Sequence, residues 1–191
     1  MTSKDMTTRS FASAAALPPS PTAAATASAL HPISTGSWTV YFHEPEDKSW
    51  AIDSYKRVAS MGTWEGLGAL LRDMGPQRIM NGMIFTMRGD VSPLWENKAN
   101  IRGGSYCLKV SRRTAAEVYQ RYLAAAALGV ATTDSDNVIV GVTMSPKKGF
   151  CIIKLWNANS KAHHNPADVV VLHEEVHTSE ILYRPHTDQK M

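Results

Sequence analysis

Two groups of residues in this sequence have the types and spacing to do chemistry. The first is His173-Glu174-Glu175-Val176-His177, which fits the pattern H-E-x-x-H. On a helix, histidines four positions apart share a face and can hold zinc, with Glu174 as the general base that activates a zinc-bound water. Such a centre needs a third protein ligand. The longer pattern H-E-x-x-H-x-x-G-x-x-H wants histidine where this chain has Tyr183, and His163, His164, Glu180 and His186 stand at no recognised spacing. A zinc hydrolase built on His173, Glu174 and His177 is therefore the alternative reading, set against a solvated helix face. The second group is Pro93-Leu94-Trp95-Glu96-Asn97, followed by Asn100-Ile101-Arg102-Gly103-Gly104-Ser105-Tyr106. A tryptophan beside a glutamate in a loop offers a flat π face together with a two-oxygen acceptor. A purine edge carrying two adjacent N–H donors, as guanine has, requires that combination.

The elements that must position these residues follow from hydrophobic period. Alternation of apolar and polar residues predicts strands over 38–42, 83–87, 106–110, 138–144 and 150–156. Thr63 can cap a helix that sets Trp64, Leu67 and Leu71 on one stripe and ends before Gly75-Pro76. Thr114-Ala115-Ala116-Glu117 reads as a capping box opening an Ala- and Leu-rich helix that stops at Gly129. Asn165-Pro166 can open a third helix over 167–177, although Val169-Val170-Val171 suits a strand as well. The strands lie too close in sequence for repeated crossover helices. The fold class expected is α+β, an antiparallel sheet backed by helices.

Composition bounds the rest. With 191 residues, 43% of them hydrophobic, and two cysteines, the chain has room for one domain with a real core and no disulfide scaffold. Cys107 and Cys151 read as reduced thiols, which favours an intracellular compartment. No run approaches the roughly 18 apolar residues that span a bilayer, so no membrane partner is expected. The balance of 20 Lys+Arg against 17 Asp+Glu gives a net charge of +3, too little for a protein that coats nucleic acid through many phosphates. Phosphate binding, if present, must be local. Residues 1–30 are rich in Ala, Ser, Thr and Pro and cannot bury enough apolar surface to offset the entropy of ordering, so a disordered tail is expected ahead of a single domain over 31–191.

Taken in order, several pieces resemble the eukaryotic translation initiation factor 4E family, the messenger RNA cap-binding proteins. They are His31-Pro32 ahead of Ser37-Trp38, Ser49-Trp50-Ala51, Pro93-Leu94-Trp95-Glu96, Arg102-Gly103-Gly104, and Gly141-Val142 leading through a lysine hairpin to Lys154-Leu155-Trp156. The resemblance implies a curved antiparallel sheet with the cap site on its concave face and about three α-helices on the convex face. It further implies that Trp50 and Trp95 sandwich 7-methylguanine, that Glu96 accepts from its N1–H and N2–H, and that Trp156 meets the N7 methyl group. Lys147, Lys148, Lys154 and Arg102 are the candidates for the phosphate bridge. Methylation at N7 places a positive charge on the base, so stacking between two indoles gains a cation–π contribution of about 0.5–2 kcal/mol that guanine lacks. No step needs a nucleophile, a metal or a cofactor, so the resemblance implies a binding protein and not an enzyme.

On the convex side the resemblance implies a surface including His31, Pro32, Trp64 and Leu67 that takes an initiation factor 4G-like scaffold or a 4E-binding inhibitory protein through an apolar groove. The sequence departs from the family pattern at Ser105, where an arginine is usual, at Tyr106, where a tryptophan is usual, and at Gly68, where the first helix usually carries tryptophan. These departures imply a divergent paralogue, of the kind a trypanosomatid protist would carry, with hypermethylated caps among its expected ligands. They also leave open an interaction module with weakened cap affinity. Partners expected are capped mRNA and the 4G-like protein, with the chain a monomer outside its complexes, in the cytoplasm or also in the nucleus.

Overall fold

The computed structural model describes residues 30–188. The segment expected to be a disordered tail lies, apart from Leu30, outside the described residues. Seven strands form one antiparallel sheet: β1 (Trp38–His43), β2 (Tyr55–Met61), β3 (Met83–Arg88), β4 (Gly104–Ser111), β5 (Ile139–Pro146), β6 (Phe150–Asn157) and β7 (Leu182–Pro185). Their order is β2-β1-β3-β5-β6-β4-β7, and the sheet is curved. Helices α1 (Trp64–Ile79) and α2 (Ala115–Leu128) lie in the β2–β3 and β4–β5 connections and cover one face. Strand alternation divides the apolar residues between the two faces. Ile84, Val142, Met144, Ile153 and Leu155 are buried with Val118, Tyr119, Tyr122 and Leu123 of α2 in the main core. Phe85, Met87 and Trp156 leave the other face and form a second, smaller cluster with Tyr55 and Val140.

The helix signals read from sequence are only partly used. Thr63 does cap α1, accepting from the Gly66 N–H at 3.2 Å, and α2 ends on Gly129 in the left-handed region at φ 76°. The helix stripe breaks at Gly75, whose φ of 45° kinks α1 before its last turn. The capping box at Thr114 does not form: the hydroxyl donates to Glu175 Oε2 at 2.7 Å, while Glu117 pairs with Arg121. Among the described residues there are two α-helices and not about three. Pro166–Asp168 is a single 3-10 turn capped by Asn165, and the chain then runs extended. Val170 N donates to Ala131 O at 3.1 Å and Thr133 N to Asp168 O at 2.8 Å, so the β-branched run 169–171 finds its backbone partners in the chain after α2. No described helix is long and apolar enough to cross a membrane, and both cysteines are free.

Candidate functional site: an aromatic cavity on the helix-free face

Period 2 on three adjacent strands brings Met83 and Phe85, then Thr143 and Ser145, then Ile152, Lys154 and Trp156 to the floor of one cavity of about 610 Å³. Tyr55 joins from β2, and loops supply Trp50, Pro93, Trp95, Glu96 and Lys147. A train of rings underlies it. Tyr55 meets Phe85 edge to face at 5.1 Å, Phe85 meets Trp156 at 6.4 Å, and Trp156 meets His186 at 4.7 Å. Gly141, paired with Trp156 on β5, leaves the space that Met87 fills, since a Cβ there would stand 2.6 Å from the Met87 thioether.

Trp50 is 53% exposed, and what fixes it is a residue without a sequence signal. His43, fully buried at the end of β1, stacks on Trp50 with centroids 4.5 Å apart and planes within 10°. Its Nδ1 lies 2.9 Å from the Glu44 carbonyl oxygen and its Nε2 lies 2.8 Å from that of Ser49. One face of the indole is therefore backed by a ring tied to both ends of the 44–49 loop.

Asn100 positions the Trp95 loop. Its side-chain N–H groups donate to the carbonyls of Ser92 and Leu94, each at 2.7 Å. Its own carbonyl accepts from His186 Nδ1 at 2.8 Å, and His186 Nε2 accepts the Ser105 hydroxyl at 2.8 Å. A carbonyl only accepts, so Nδ1 carries a proton, and in the neutral ring Nε2 is left to accept from Ser105. Burial holds the His186 pKa below its ordinary range; Lys154 adds to that, while the bond to Asn100 and the charge of Glu96 oppose it. Burial, with Glu96 second, pushes the Tyr55 phenol up to about 12. Gly103-Gly104 have a steric reason: a Cβ on Gly103 would overlap the Asn157 carbonyl, and one on Gly104 would overlap the Tyr183 hydroxyl.

The structure thus brings Trp50, Trp95, Glu96, Trp156, Lys147 and Lys154 to one cavity. Trp95 is half-buried, Glu96 exposed, and Trp156 4% exposed with an indole N–H that has no hydrogen-bond partner among the described residues. Lys148 and Arg102 do not line this space. Arg102 faces a neighbouring cavity with Lys161, where its carbonyl accepts from the Ser160 N–H and hydroxyl. Sequence reasoning missed His43 and weighed His186 only as a zinc ligand, because a single histidine carries no spacing signal for the ring it packs against.

On the helix side, His31 and Pro32 are exposed beside the start of α1. The His31 N–H donates to Glu65 Oε2 at 3.1 Å, and its Nδ1 lies 2.7 Å from Oε1. Trp64 is half-buried. Leu67, at 3% exposure, belongs to the core and is removed from the candidate partner surface.

The H-E-x-x-H reading does not survive the backbone. Residues 173–177 form a turn, not a helix, so the two histidines do not share a helical face. Glu175 is spent on Ser111 and Thr114, which lowers its pKa, and the Glu175 N–H donates to His173 Nδ1 at 3.1 Å. No group of three or more potential metal-binding side chains gathers among the described residues.

Comparison with known proteins agrees with this architecture. Residues 34–191 match the family model for eukaryotic initiation factor 4E. Translation initiation factor 4E of Saccharomyces cerevisiae is 29% identical over 133 residues, covering 66% of this chain and 61% of the yeast protein. The Arabidopsis thaliana initiation factor NCBP is 26% identical over 140 residues, covering 70% and 62%. The matches thus span about six tenths of these relatives' own length. Among solved structures, C. elegans eIF4E-3 in complex with the 4E-binding protein Mextli superposes with a TM-score of 0.66 at 19% identity, over 83% of this chain and 95% of that one. Ascaris suum eIF4E-3 with m7G cap gives 0.55 at 20% identity, over 68% and 74%. With the family model covering most of its length and the same sheet beneath an aromatic cavity, the chain belongs to the eukaryotic initiation factor 4E family.

Proposed function

We propose that this chain binds the 7-methylguanosine 5′ cap of messenger RNA and brings the capped message to translation initiation in the cytoplasm, as a binding protein and not an enzyme. The observation that carries the reading is the gathering of Trp50, Trp95, Glu96 and Trp156 around one cavity with Lys147 and Lys154 on its wall. In this reading Trp50 and Trp95 hold the cationic base between electron-rich faces, Glu96 accepts its two N–H groups, and the lysines meet the phosphates. The neutral His186 behind Trp156 adds no positive charge that would oppose the methylated base. Proteins of the same fold are seen with this class of ligand, including Ascaris suum eIF4E-3 with m7G cap and a schistosome eIF4E with m7GpppA and 4E-BP.

On the helix side, the exposed His31-Pro32 segment and the half-buried Trp64 form the surface for a 4G-like or 4E-binding partner. Gly68 in place of a large side chain reshapes the groove. Tryptophan fluorescence titration with 7-methyl-GTP is the test. Trp95→Ala and Glu96→Ala should each weaken binding at least about 10-fold, and preserved affinity in both would refute the pocket. No retention on cap-analogue resin, with partner binding intact, would mark the chain as an interaction module.

A further inference from the structure

The phosphate end of the cavity is only partly furnished. Lys147 and Lys154 line it, and among the described residues neither makes a salt bridge. On β4, the strand beside β6, Ser105 is fully buried and its hydroxyl is committed to His186, so it has nothing to offer an anion.

The next strand supplies what β4 does not. Ser105 pairs with Trp156 of β6 on one side and with Arg184 of β7 on the other. Directly paired residues of an antiparallel sheet leave the same face, so Arg184 leaves the same face as Trp156 two strands away, beyond the residues that line the cavity itself. At about 4.8 Å per strand the two backbones are on the order of 10 Å apart, within reach of an extended arginine stem. Cys107, paired with Lys154, lies between the two cations: its thiol, pushed up by burial, is pulled back by Lys154 first and then by Arg184. Arg184 is exposed and, among the described residues, has no salt-bridge partner.

We propose that Arg184 is a phosphate-binding residue of this protein, completing with Lys154 and Lys147 a row of cations that holds the phosphate chain of the bound nucleotide. The inference rests on the cap-binding reading and adds a residue from the edge strand. A guanidinium suits the task because its fork can donate two parallel N–H bonds to one phosphate. The site takes a nucleoside polyphosphate and gains with the number of phosphates.

The test is a ladder of 7-methylguanosine, 7-methyl-GMP and 7-methyl-GTP titrated against the wild type, Arg184→Ala and Arg184→Lys. Arg184→Ala should weaken 7-methyl-GTP about 3- to 10-fold, lose progressively less with fewer phosphates, and leave the nucleoside unchanged. Arg184→Lys, which keeps the charge but not the fork, should recover only part of the loss. Wild-type affinity for 7-methyl-GTP in Arg184→Ala would overturn the proposal, as would an equal loss for all three ligands, which would mean a structural role. If the wild type does not prefer 7-methyl-GTP over GTP, the cap reading itself fails; if it does and Arg184→Ala is silent, only this inference fails.

Discussion

The side chains that define this site differ in how they announce themselves. Trp95-Glu96 is legible because adjacency alone brings a π face and an acceptor together, and Trp50 and Trp156 follow once the family order is seen. His43 and His186 are not legible, since what makes them matter is the ring each packs against and the carbonyl each faces. The converse error is His173-Glu174-Glu175-Val176-His177, whose meaning depends on a helix the chain does not form there. His43 yields a sharp expectation. Removing it in His43→Ala opens a cavity and strips a loop carbonyl of its N–H donor, which should cost about 2–4 kcal/mol in urea unfolding and weaken 7-methyl-GTP binding by freeing Trp50. His43→Phe keeps the flat ring without the polar contacts. It should restore binding more fully than stability, and equal recovery of both would argue against a positioning role.

Among the elements, β1, β3, β4, β5 and β6 are readable because each buries alternate residues on at least one face. The two strands that hydrophobic period misses, β2 and β7, are the edges of the sheet. β2 buries only its first and last residues, and β7 spans four residues, so their pairing comes from backbone hydrogen bonds to β1 and β4 and leaves little pattern in the sequence. The same edge strand β7 carries Arg184 and leads to His186, so neither residue is announced by a pattern in the sequence. The Gly103-Gly104 pair is the opposite case, a legible motif whose reason is the crowding of β4 against Asn157 and Tyr183. Gly104→Ala should therefore destabilise the fold by at least about 2 kcal/mol. Gly149→Ala, in the β5–β6 hairpin where an added methyl group would meet nothing within 4 Å, should be neutral. Thermal unfolding of the two variants checks the contrast.

The sheet separates two faces, with helices and the exposed His31-Pro32 segment on one side and the aromatic cavity on the other. His186 links the stability of this arrangement to pH. Its folded pKa lies below the ordinary 6.5, so the unfolded chain takes up the proton first. The His186 contribution is complete above about pH 6.5 and is lost as pH falls through the lower folded value. Thermal midpoints measured between pH 7.5 and 5 should fall less steeply in His186→Gln than in the wild type, and parallel curves would remove His186 as the cause. The small net charge of +3, which excludes extended coating of nucleic acid, fits recognition of one cationic base and a short phosphate chain. The central claim is tested most directly by titrating the full chain with 7-methyl-GTP and with GTP while following tryptophan fluorescence. A saturable response at least about 10-fold tighter for the methylated nucleotide is expected from the cation–π contribution to stacking; equal responses to both, or none to either, would contradict it.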